Sequence, residues 1–375
     1  MIGIVTTTIK DPPNWNNILE SYKGREEIKG YIIGDIKTPD IEKYPNTDYM
    51  KVQDQSDFIE SLVGRDRFPA YWRIFQENNC QRRIIGFLKA VSDGCNYIVA
   101  LDDDNFPREG EDLISEHVNV LESKSFRTVS SSLKYINSLE LLEKNIPNVH
   151  PYVRGYPIHL RGEPEYSFDI VENGKIGCNI GLWEEDPDIE ALSRLQYDNL
   201  RTKALSMTPL GINPETYTSM CLQNISFRSE YLLFQYEFPM NINISGLSLQ
   251  RYDDIWSGYI CKKLLDQLGV YMTIGPPIAL HKRNIHNIIS DFLNEYWGQF
   301  INLFFFTAIQ EIKLEEKTDP LKMYIELVNK LYRSLHFIDP QIQSYFNRVW
   351  HDMLRWADLC SMIQDNDSKR SRDSF

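Results

Sequence analysis

The sequence lacks the features that identify several common classes of protein. Its six cysteines are scattered without a Cys-x-x-Cys pair, so neither a zinc site nor a disulfide framework is indicated, and reduced thiols are expected. There is no long basic stripe, and the formal net charge of −13 argues against a nucleic-acid partner. The longest apolar stretch, 300–309, is too short to form a transmembrane segment. The first residues resemble a strand, and no signal peptide is predicted.

The composition that remains is that of an ordinary globular protein. The 375 residues are 42% hydrophobic and 25% charged, which is enough for a substantial core in one large domain or two. Reduced thiols and the expected lack of a signal peptide predict a cytoplasmic location. An anionic small substrate stays compatible with the acidic composition, because local arginines or a metal can reverse the field inside one cleft.

Strand-like and helical segments alternate through the first hundred residues. The strand-like segments are 2–6, 30–35 and 97–101, and the helical patterns are 15–22, 57–63 and 74–91. This alternation predicts a Rossmann-like α/β fold, in which a mostly parallel sheet is flanked by helices. Ligands of such sheets bind beyond the carboxyl ends of the strands. Polar residues at three predicted strand ends indicate one shared site: Thr6, Thr7 and Thr8, then Asp35, then Asp102, Asp103 and Asp104.

The C-terminal part of the chain is predicted to be helical. Apolar residues recur at helical spacing over 285–306, 321–335 and 342–362. Packing between helices is the ordinary explanation of their aromatic residues, and a homo-oligomer surface or a peripheral membrane contact is the alternative. The polar tail 365–375 is expected to be disordered.

The run of three aspartates after the predicted strand 97–101 is the most informative local feature. Adjacent carboxylates are costly to desolvate unless they face solvent or share a divalent cation. In the metal hypothesis Asp104 binds Mn²⁺ or Mg²⁺ directly, and Asp102 contacts a ribose or binds the metal through water. His281, after an apolar segment, would be the third protein ligand. The alternatives are a solvated loop or a helix cap for the aspartates and a structural role for the histidine.

Two further segments carry candidate ligand-binding residues. Arg154 and Arg161 flank a Gly-Tyr-Pro turn, and their guanidinium groups suit a diphosphate, although surface arginines would give the same pattern. Asp253 and Asp254 open a helical segment and are candidates for a base or for binding sugar hydroxyls. Trp256 would offer an apolar face to a sugar ring. The alternative is helix capping by the two carboxylates.

Four motifs, in chain order, resemble those of the reversibly glycosylated polypeptides, the UDP-arabinopyranose mutases best known from plants. They are Leu-Asp-Asp-Asp-Asn-Phe at 101–106, Val-Arg-Gly-Tyr-Pro at 153–157 with Leu-Arg at 160–161, Gly-Leu-Trp at 181–183 with Pro-Asp at 187–188, and Arg-Tyr-Asp-Asp-Ile-Trp at 251–256. Arg83 ahead of Ile-Gly-Phe at 85–87, and His281 with Lys282, look similar too. The resemblance covers about 80–285 well and the N-terminal strand loosely.

The resemblance implies a GT-A type glycosyltransferase fold over 1–285, a helical C-terminal region over 286–364 and the tail 365–375. It also implies a UDP-sugar substrate and Mn²⁺ or Mg²⁺ as cofactor. The residue matching Arg154 would be reversibly glycosylated, with Asp253 or Asp254 orienting or activating its guanidinium, which is protonated at neutral pH. The expected substrate-binding residues are Thr6, Thr7, Asp35, Arg83, Asp102, Asp103, Arg161, Trp183, Asp188 and Trp256.

Three functions stay open at this point. The first is a metal-dependent UDP-sugar enzyme that interconverts ring forms or glycosylates itself. The second is a glycosyltransferase that moves a sugar to a glycan or small-molecule acceptor. The third is a non-catalytic scaffold subunit, which predicts no turnover and metal-independent nucleotide binding.

Overall fold

A computed structural model describes residues 1–204, 207–283 and 287–373, with side chains through residue 364. The strands are β1 Ile2–Thr8, β2 Ile28–Gly34, β3 Thr47–Met50, β4 Tyr97–Leu101, β5 Asn105–Pro107, β6 Phe126–Ser131, β7 Tyr135–Ile136, β8 Leu142–Lys144, β9 Tyr166–Val171, β10 Ile176–Glu185, β11 Thr202–Ala204, β12 Leu210–Ile212, β13 Tyr217–Thr218, β14 Asn224–Arg228, β15 Ile242–Ile244, β16 Leu247–Leu249 and β17 Tyr271–His281. The helices are α1 Trp15–Ser21, α2 Val52–Val63, α3 Phe68–Trp72, α4 Arg83–Ser92, α5 Leu113–Glu122, α6 Ala191–Gln196, α7 Asp253–Gln267, α8 Ile288–Glu311, α9 Pro320–Ser334 and α10 Pro340–Asp373.

The main sheet is mixed, with strand order β3-β2-β1-β4-β14-β10-β17-β12-β6-β9. The N-terminal strands β3, β2, β1 and β4 are parallel, as predicted. Beyond them the sheet is mixed: β14 runs antiparallel to both β4 and β10, whereas the β10–β17 and β12–β6 pairs are parallel. The expectation of a mostly parallel sheet is therefore correct in full only for the N-terminal part. The reason is that antiparallel neighbours need no crossover helix, and the irregular middle of the chain supplies short strands instead of strand-helix-strand units.

The parallel part of the sheet positions the carboxyl ends of β1, β2 and β4 side by side. Their residues are apolar on both faces, as expected of strands covered by helices. Helix α4 lies very close to the sheet at Gly86, where a Cβ atom would be 2.5 Å from a Val5 methyl carbon and 2.9 Å from a methylene carbon of Ile33. Glycine permits this close approach. The packing holds Arg83, at the start of α4, above the strand ends.

The predicted helix over 74–91 is wrong in its first half. Helix α4 begins only at Arg83, after a short 3-10 turn over Cys80–Arg82. Asn78 has a positive φ of 52°, and the Asn79 side chain accepts a hydrogen bond from the backbone N–H of Gln81. Such local asparagine bonds compete with helix formation. The preceding segment is therefore a loop, and this loop forms one wall of the cleft described below.

The C-terminal helices pack on the same core as the sheet. Helix α8 lies against α7, where the Trp256 and Phe305 rings stack at 5.2 Å, and α10 packs against α9 and α4. The predicted helices over 321–335 and 342–362 correspond to α9 and α10, while the predicted start at Ile285 lies outside the described residues. The backbone of 365–373 continues helix α10, and the expected disorder of 365–375 and the division into domains stay predictions. Among the described helices, none is long and apolar enough to cross a membrane.

Candidate functional site

A cleft of about 620 Å³ opens at the carboxyl ends of the parallel strands, where the sequence predicted a shared site. Nine of the predicted site residues line it: Thr7, Asp35, Arg83, Asp102, Asp103, Asp104, Arg154, Asp188 and His281. Its lining is strongly charged, because acidic and basic side chains alternate around it. The predicted residues from separate strand ends thus line one cleft, and their role in binding a ligand stays a prediction.

The three aspartates at the end of β4 face different partners. Asp102 pairs with the guanidinium of Arg83, and Asp103 accepts a hydrogen bond of 2.8 Å from the Thr8 hydroxyl. Burial, together with the charges of Asp104 and Asp103, outweighs the attraction of Arg83 and raises the pKa of Asp102 to about 6. The Asp104 carboxylate instead faces His281, with 3.6 Å between Oδ2 and Nε2.

Strand pairing brings His281 to the aspartates. Strand β5 runs antiparallel to β17, and its first residue, Asn105, lies opposite His281. The His281 Nδ1–H group donates to the Asp186 carbonyl at 2.6 Å, which orients the ring so that Nε2 faces Asp104. Burial alone would lower the pKa of His281, but the hydrogen bond and charge of Asp104 outweigh it and raise the pKa. The same contact holds the pKa of Asp104 below its usual value despite burial.

Asp104 and His281 form a donor pair that fits a divalent cation. The pair offers one carboxylate and one imidazole, and a backbone carbonyl fixes the imidazole. These ligands suit Mn²⁺ better than Mg²⁺, because Mg²⁺ prefers oxygen ligands alone. Asp102 is not close enough to this pair to share one ion with it. Among the described residues, the three potential ligands whose atoms all lie within 4.8 Å of one another belong to a different cluster. The Asp102 carboxylate is held by Arg83, which agrees with a contact to ligand rather than to metal.

Arg154 is clamped between two buried carboxylates. Its Nε atom donates to Asp188 at 2.9 Å, and its terminal nitrogens donate to Asp254 at 2.8 and 2.7 Å. A terminal nitrogen also donates to the Arg251 carbonyl at 2.5 Å. Burial would lower the pKa of Arg154, but the charges of Asp188 and Asp254 raise it well above the usual range. Arg154 in turn is the main reason that the pKa of Asp188 is lowered despite burial.

The backbone next to Arg154 requires glycine. Gly155 has a φ of +82°, and a Cβ atom there would lie 2.6 Å from a methyl carbon of Ile255. The tight Arg-Gly-Tyr-Pro turn therefore packs against the first turn of α7. This packing brings Asp254, the second residue of α7, to Arg154.

Of the two carboxylates proposed to orient Arg154, it is Asp254 that contacts it. The adjacent Asp253 points to the other side of α7 and accepts a hydrogen bond of 2.6 Å from the Cys80 thiol. Asp188, expected only to bind substrate, is the second partner of Arg154. The pairing joins residues 34 positions apart, and the sequence carried no local signal for it.

Besides Asp253 and Asp254, four expected site residues are absent from the cleft lining. Thr6 and Trp256 are 0% exposed and Trp183 is 1% exposed, so none of the three presents a face to a ligand in this structure. Trp256 lies on the side of α7 that packs against α8 and donates a hydrogen bond of 3.2 Å to Asn302. Arg161 pairs with Glu190 at 2.5 Å and lies over the ring of Tyr152. Aromatic side chains at helical spacing served the core here, as they most often do.

Several cleft residues were missed as site candidates. The main ones are Lys10, Lys37, Cys80, Gln223, Arg251 and Arg283. Arg251 had a signal, since it begins the Arg-Tyr-Asp-Asp motif, and its guanidinium lies 3.6 Å from Asp188 and 2.8 Å from Glu295. The loop over Asn78–Cys80 had none, because its sequence looked helical. Together with Arg83, Arg251 and Arg283 place basic groups around the cleft, where they can attract an anionic ligand.

The fold and the cleft define an α/β protein with a partly parallel, Rossmann-like sheet and a charged cleft at the carboxyl ends of its parallel strands. The family model of reversibly glycosylated polypeptides matches residues 2–365, and the chain belongs to that family. It is similar to a protein named probable UDP-arabinopyranose mutase 1 of Pisum sativum, with 26% identity over 79% of this chain and 75% of the relative. It is 25% identical to probable UDP-arabinopyranose mutase 4 of Arabidopsis thaliana, over 80% and 75% of the two chains. UDP-arabinopyranose mutase 1 of the same plant is 26% identical over 76% and 72%.

Proposed function

We propose that the cleft binds a UDP-sugar together with Mn²⁺ or Mg²⁺, and that the protein interconverts ring forms of the bound sugar. The names of the relatives support the substrate class and the mutase reaction. The observation that carries the proposal is the position of the Asp104–His281 pair and the Arg154 clamp on one cleft. A cation site beside a diphosphate-sized cleft, with a charged residue opposite, is what such a reaction needs.

The donor half of the site is assigned to the aspartates and the nearby arginines. Asp104 and His281 would hold the cation, which when bound supplies positive charge against the diphosphate as it leaves. Asp102 and Asp103 would accept hydrogen bonds from ribose hydroxyls. Arg251 is positioned to contribute further positive charge, since its guanidinium lines the cleft next to the Arg154 clamp.

Arg154 is assigned to the sugar half of the site. In the reversible self-glycosylation implied by the family resemblance, a guanidinium nitrogen forms a bond to the anomeric carbon while the bond from that carbon to the UDP oxygen breaks. The nitrogen loses a proton, and Asp254, at 2.7 Å, is placed to accept it. While the sugar is bound to nitrogen, the bond from its anomeric carbon to the ring oxygen would open with a proton going to that oxygen, and the ring would close through another hydroxyl, which gives up its proton. Return of the proton to the guanidinium and attack by UDP then release the sugar nucleotide in the other ring form.

The paired state of Arg154 favours a second candidate function. Its guanidinium is held as a cation by two buried carboxylates, and its raised pKa makes loss of a proton costly. A hydroxyl of a separate glycan or small-molecule acceptor would be an easier nucleophile. In that case the protein is a glycosyltransferase, and Arg154 orients the sugar without bonding to it.

One experiment separates these reactions. The purified protein is incubated with radiolabelled UDP-arabinopyranose and Mn²⁺, and protein-bound label, free UDP and UDP-arabinofuranose are followed. The mutase proposal expects ring exchange in the wild type and its loss in Arg154→Lys, with Arg228→Lys, outside the cleft, as the matched control. UDP release only after an acceptor is added would favour the transferase. Neither ring exchange nor UDP release with any UDP-sugar would contradict both.

A further inference from the structure

Three potential metal ligands meet behind the wall of the cleft, apart from Asp104 and His281. The Cys80 sulfur and one carboxylate oxygen each of Glu237 and Asp253 all lie within 4.8 Å of one another. Cys80 is exposed to the cleft, whereas Glu237 is 0% exposed and Asp253 is 7% exposed. The proposed function gives no role to Cys80 or Glu237.

Glu237 is the member of this group that points to a ligand. Both of its carboxylate oxygens are buried, and neither has a hydrogen-bond partner among the described residues. The nearby guanidinium of Arg83 is paired with Asp102 and makes no ion pair with Glu237. A buried carboxylate without a partner is unfavourable unless it holds a proton or shares a cation. Glu237 is therefore a buried acidic group, without a hydrogen-bond partner among the described residues, that lies beside a thiol and a second carboxylate.

Hydrogen bonds that do not involve the side chains of the three ligands hold their segments together. Gln81 donates its side-chain N–H to the Glu237 carbonyl at 2.8 Å, and Asn79 donates to the Met240 carbonyl at 2.9 Å. These bonds tie the loop that carries Cys80 to the segment that carries Glu237. Asp253 is fixed as the first residue of α7. A site supported in this way keeps its three ligands close together before any ion binds.

We propose that Cys80, Glu237 and Asp253 form a second cation site, which takes Zn²⁺ or a related borderline transition metal. A thiolate with two carboxylates suits Zn²⁺ or Co²⁺, whereas Mg²⁺ and Ca²⁺ take oxygen ligands. Three protein ligands leave a fourth coordination position for water or a bound ligand. A fourth position open to ligand is characteristic of catalytic rather than structural zinc sites.

Binding of the ion replaces protons on its ligands and changes no oxidation state. The Cys80 thiol, which donates to Asp253 at 2.6 Å, releases its proton to solvent when the sulfur bonds to the ion. Burial and the neighbouring acidic groups raise the pKa of Glu237 well above its usual range despite Arg83, so Glu237 holds a proton in the metal-free protein. This proton must also be released when the carboxylate binds the ion. The sulfur and the Asp253 oxygen must then move apart to about 3.5 Å, the separation set by tetrahedral bonds of roughly 2.1 to 2.3 Å.

Cobalt tests the proposal, because thiolate bound to Co²⁺ gives a charge-transfer absorption that oxygen ligands do not. Metal-free full-length protein is titrated with Co²⁺, and only cobalt bound to the thiolate contributes to this absorption. We expect the absorption to saturate at one thiolate-bound cobalt ion per protein and to disappear when Zn²⁺ is added. Cys80→Ser should abolish it, while the matched control Cys360→Ser, a buried cysteine in α10, should retain it.

Glu237→Gln provides the second variant, because it keeps the side-chain shape and removes the carboxylate that would bind the ion. It should melt at or above the wild-type temperature and bind Co²⁺ at least about tenfold more weakly, a difference of about 1.4 kcal/mol. Absence of the thiolate absorption in the wild type, or its persistence in Cys80→Ser, would overturn the proposal. Unchanged cobalt affinity in a folded Glu237→Gln protein would do so too. None of these readouts depends on sugar turnover, so the proposed function can fail or stand separately.

Discussion

Among single residues, Arg154 connects two buried carboxylates of the candidate site. Asp188 and Asp254 lie on either side of its guanidinium, and all three side chains are at most 10% exposed. Each buried charge of this network depends on the others, because two carboxylates and one guanidinium are held together away from water. The residue proposed to touch the sugar is thus also one that the fold depends on.

Replacing Arg154 by methionine should destabilise the protein by about 3 to 5 kcal/mol, because Asp188 and Asp254 would be left buried without their main cation. Denaturant unfolding of the two proteins measures this loss. The control is Lys175→Met, which removes an exposed pair with Glu230 and should cost less than about 1 kcal/mol. Equal stability losses in the two variants would show that the clamp does not exist in solution.

At the same scale, the sequence predicted residue types better than their partners. Asp104 and His281 were expected to meet, and they face each other at 3.6 Å. Their meeting follows from strand ends, which local patterns reveal. The Asp188–Arg154 pair and the contact of Cys80 with Asp253 arise from loop packing over long sequence separations, which no local pattern encodes.

Among the secondary-structure elements, α5 and β14 are joined by a buried histidine. His117 of α5 donates to the Asn224 side-chain oxygen at 2.8 Å and accepts from the Ser226 hydroxyl at 3.0 Å. Burial outweighs the hydrogen bond to Asn224 and lowers the pKa of His117 to about 4. The imidazole is neutral in the folded protein at neutral pH.

Acid should therefore weaken the protein through His117. The unfolded chain binds this proton near pH 6.5 and the folded chain near pH 4, so stability is full above pH 6.5 and falls as the pH drops to 4. The loss should reach about 3 kcal/mol and should be missing in His117→Gln. Urea unfolding at pH 7, 5.5 and 4 measures both. Parallel pH curves for the two proteins would mean that His117 titrates normally in the fold.

Elements were predicted where burial leaves a simple pattern. Strand β4 has the predicted bounds, and the bounds of α1 differ from the prediction by one residue, because apolar runs and turn residues define both. The loop before α4 was missed, since its asparagine bonds override a helical pattern. Trp256 was a candidate platform for a sugar ring because it follows the Asp253–Asp254 pair in the same helical segment, yet its ring packs against α8.

For the whole molecule, the sheet divides into a parallel part, whose strand ends form the aspartate side of the cleft, and a mixed part made of the remaining strands. The parallel part follows from strand-helix alternation, and it was predicted. The antiparallel pairing of β14 with β4 joins distant segments of the chain, and the sequence did not predict it. Arg154 and Asp254 reach the cleft from loops and helices outside the parallel strands, so the site is completed by tertiary packing rather than by one motif.

Calorimetric titration of UDP with and without Mn²⁺ tests the account most directly, because it isolates the metal-assisted binding of the nucleotide. We expect Mn²⁺ to tighten UDP binding by about tenfold or more in the wild type, equivalent to about 1.4 kcal/mol. The gain should vanish in Asp104→Asn and persist in Asp57→Asn, which alters an exposed carboxylate of α2. The same Mn²⁺ effect in all three proteins, or none in the wild type, would contradict the assignment of this cleft.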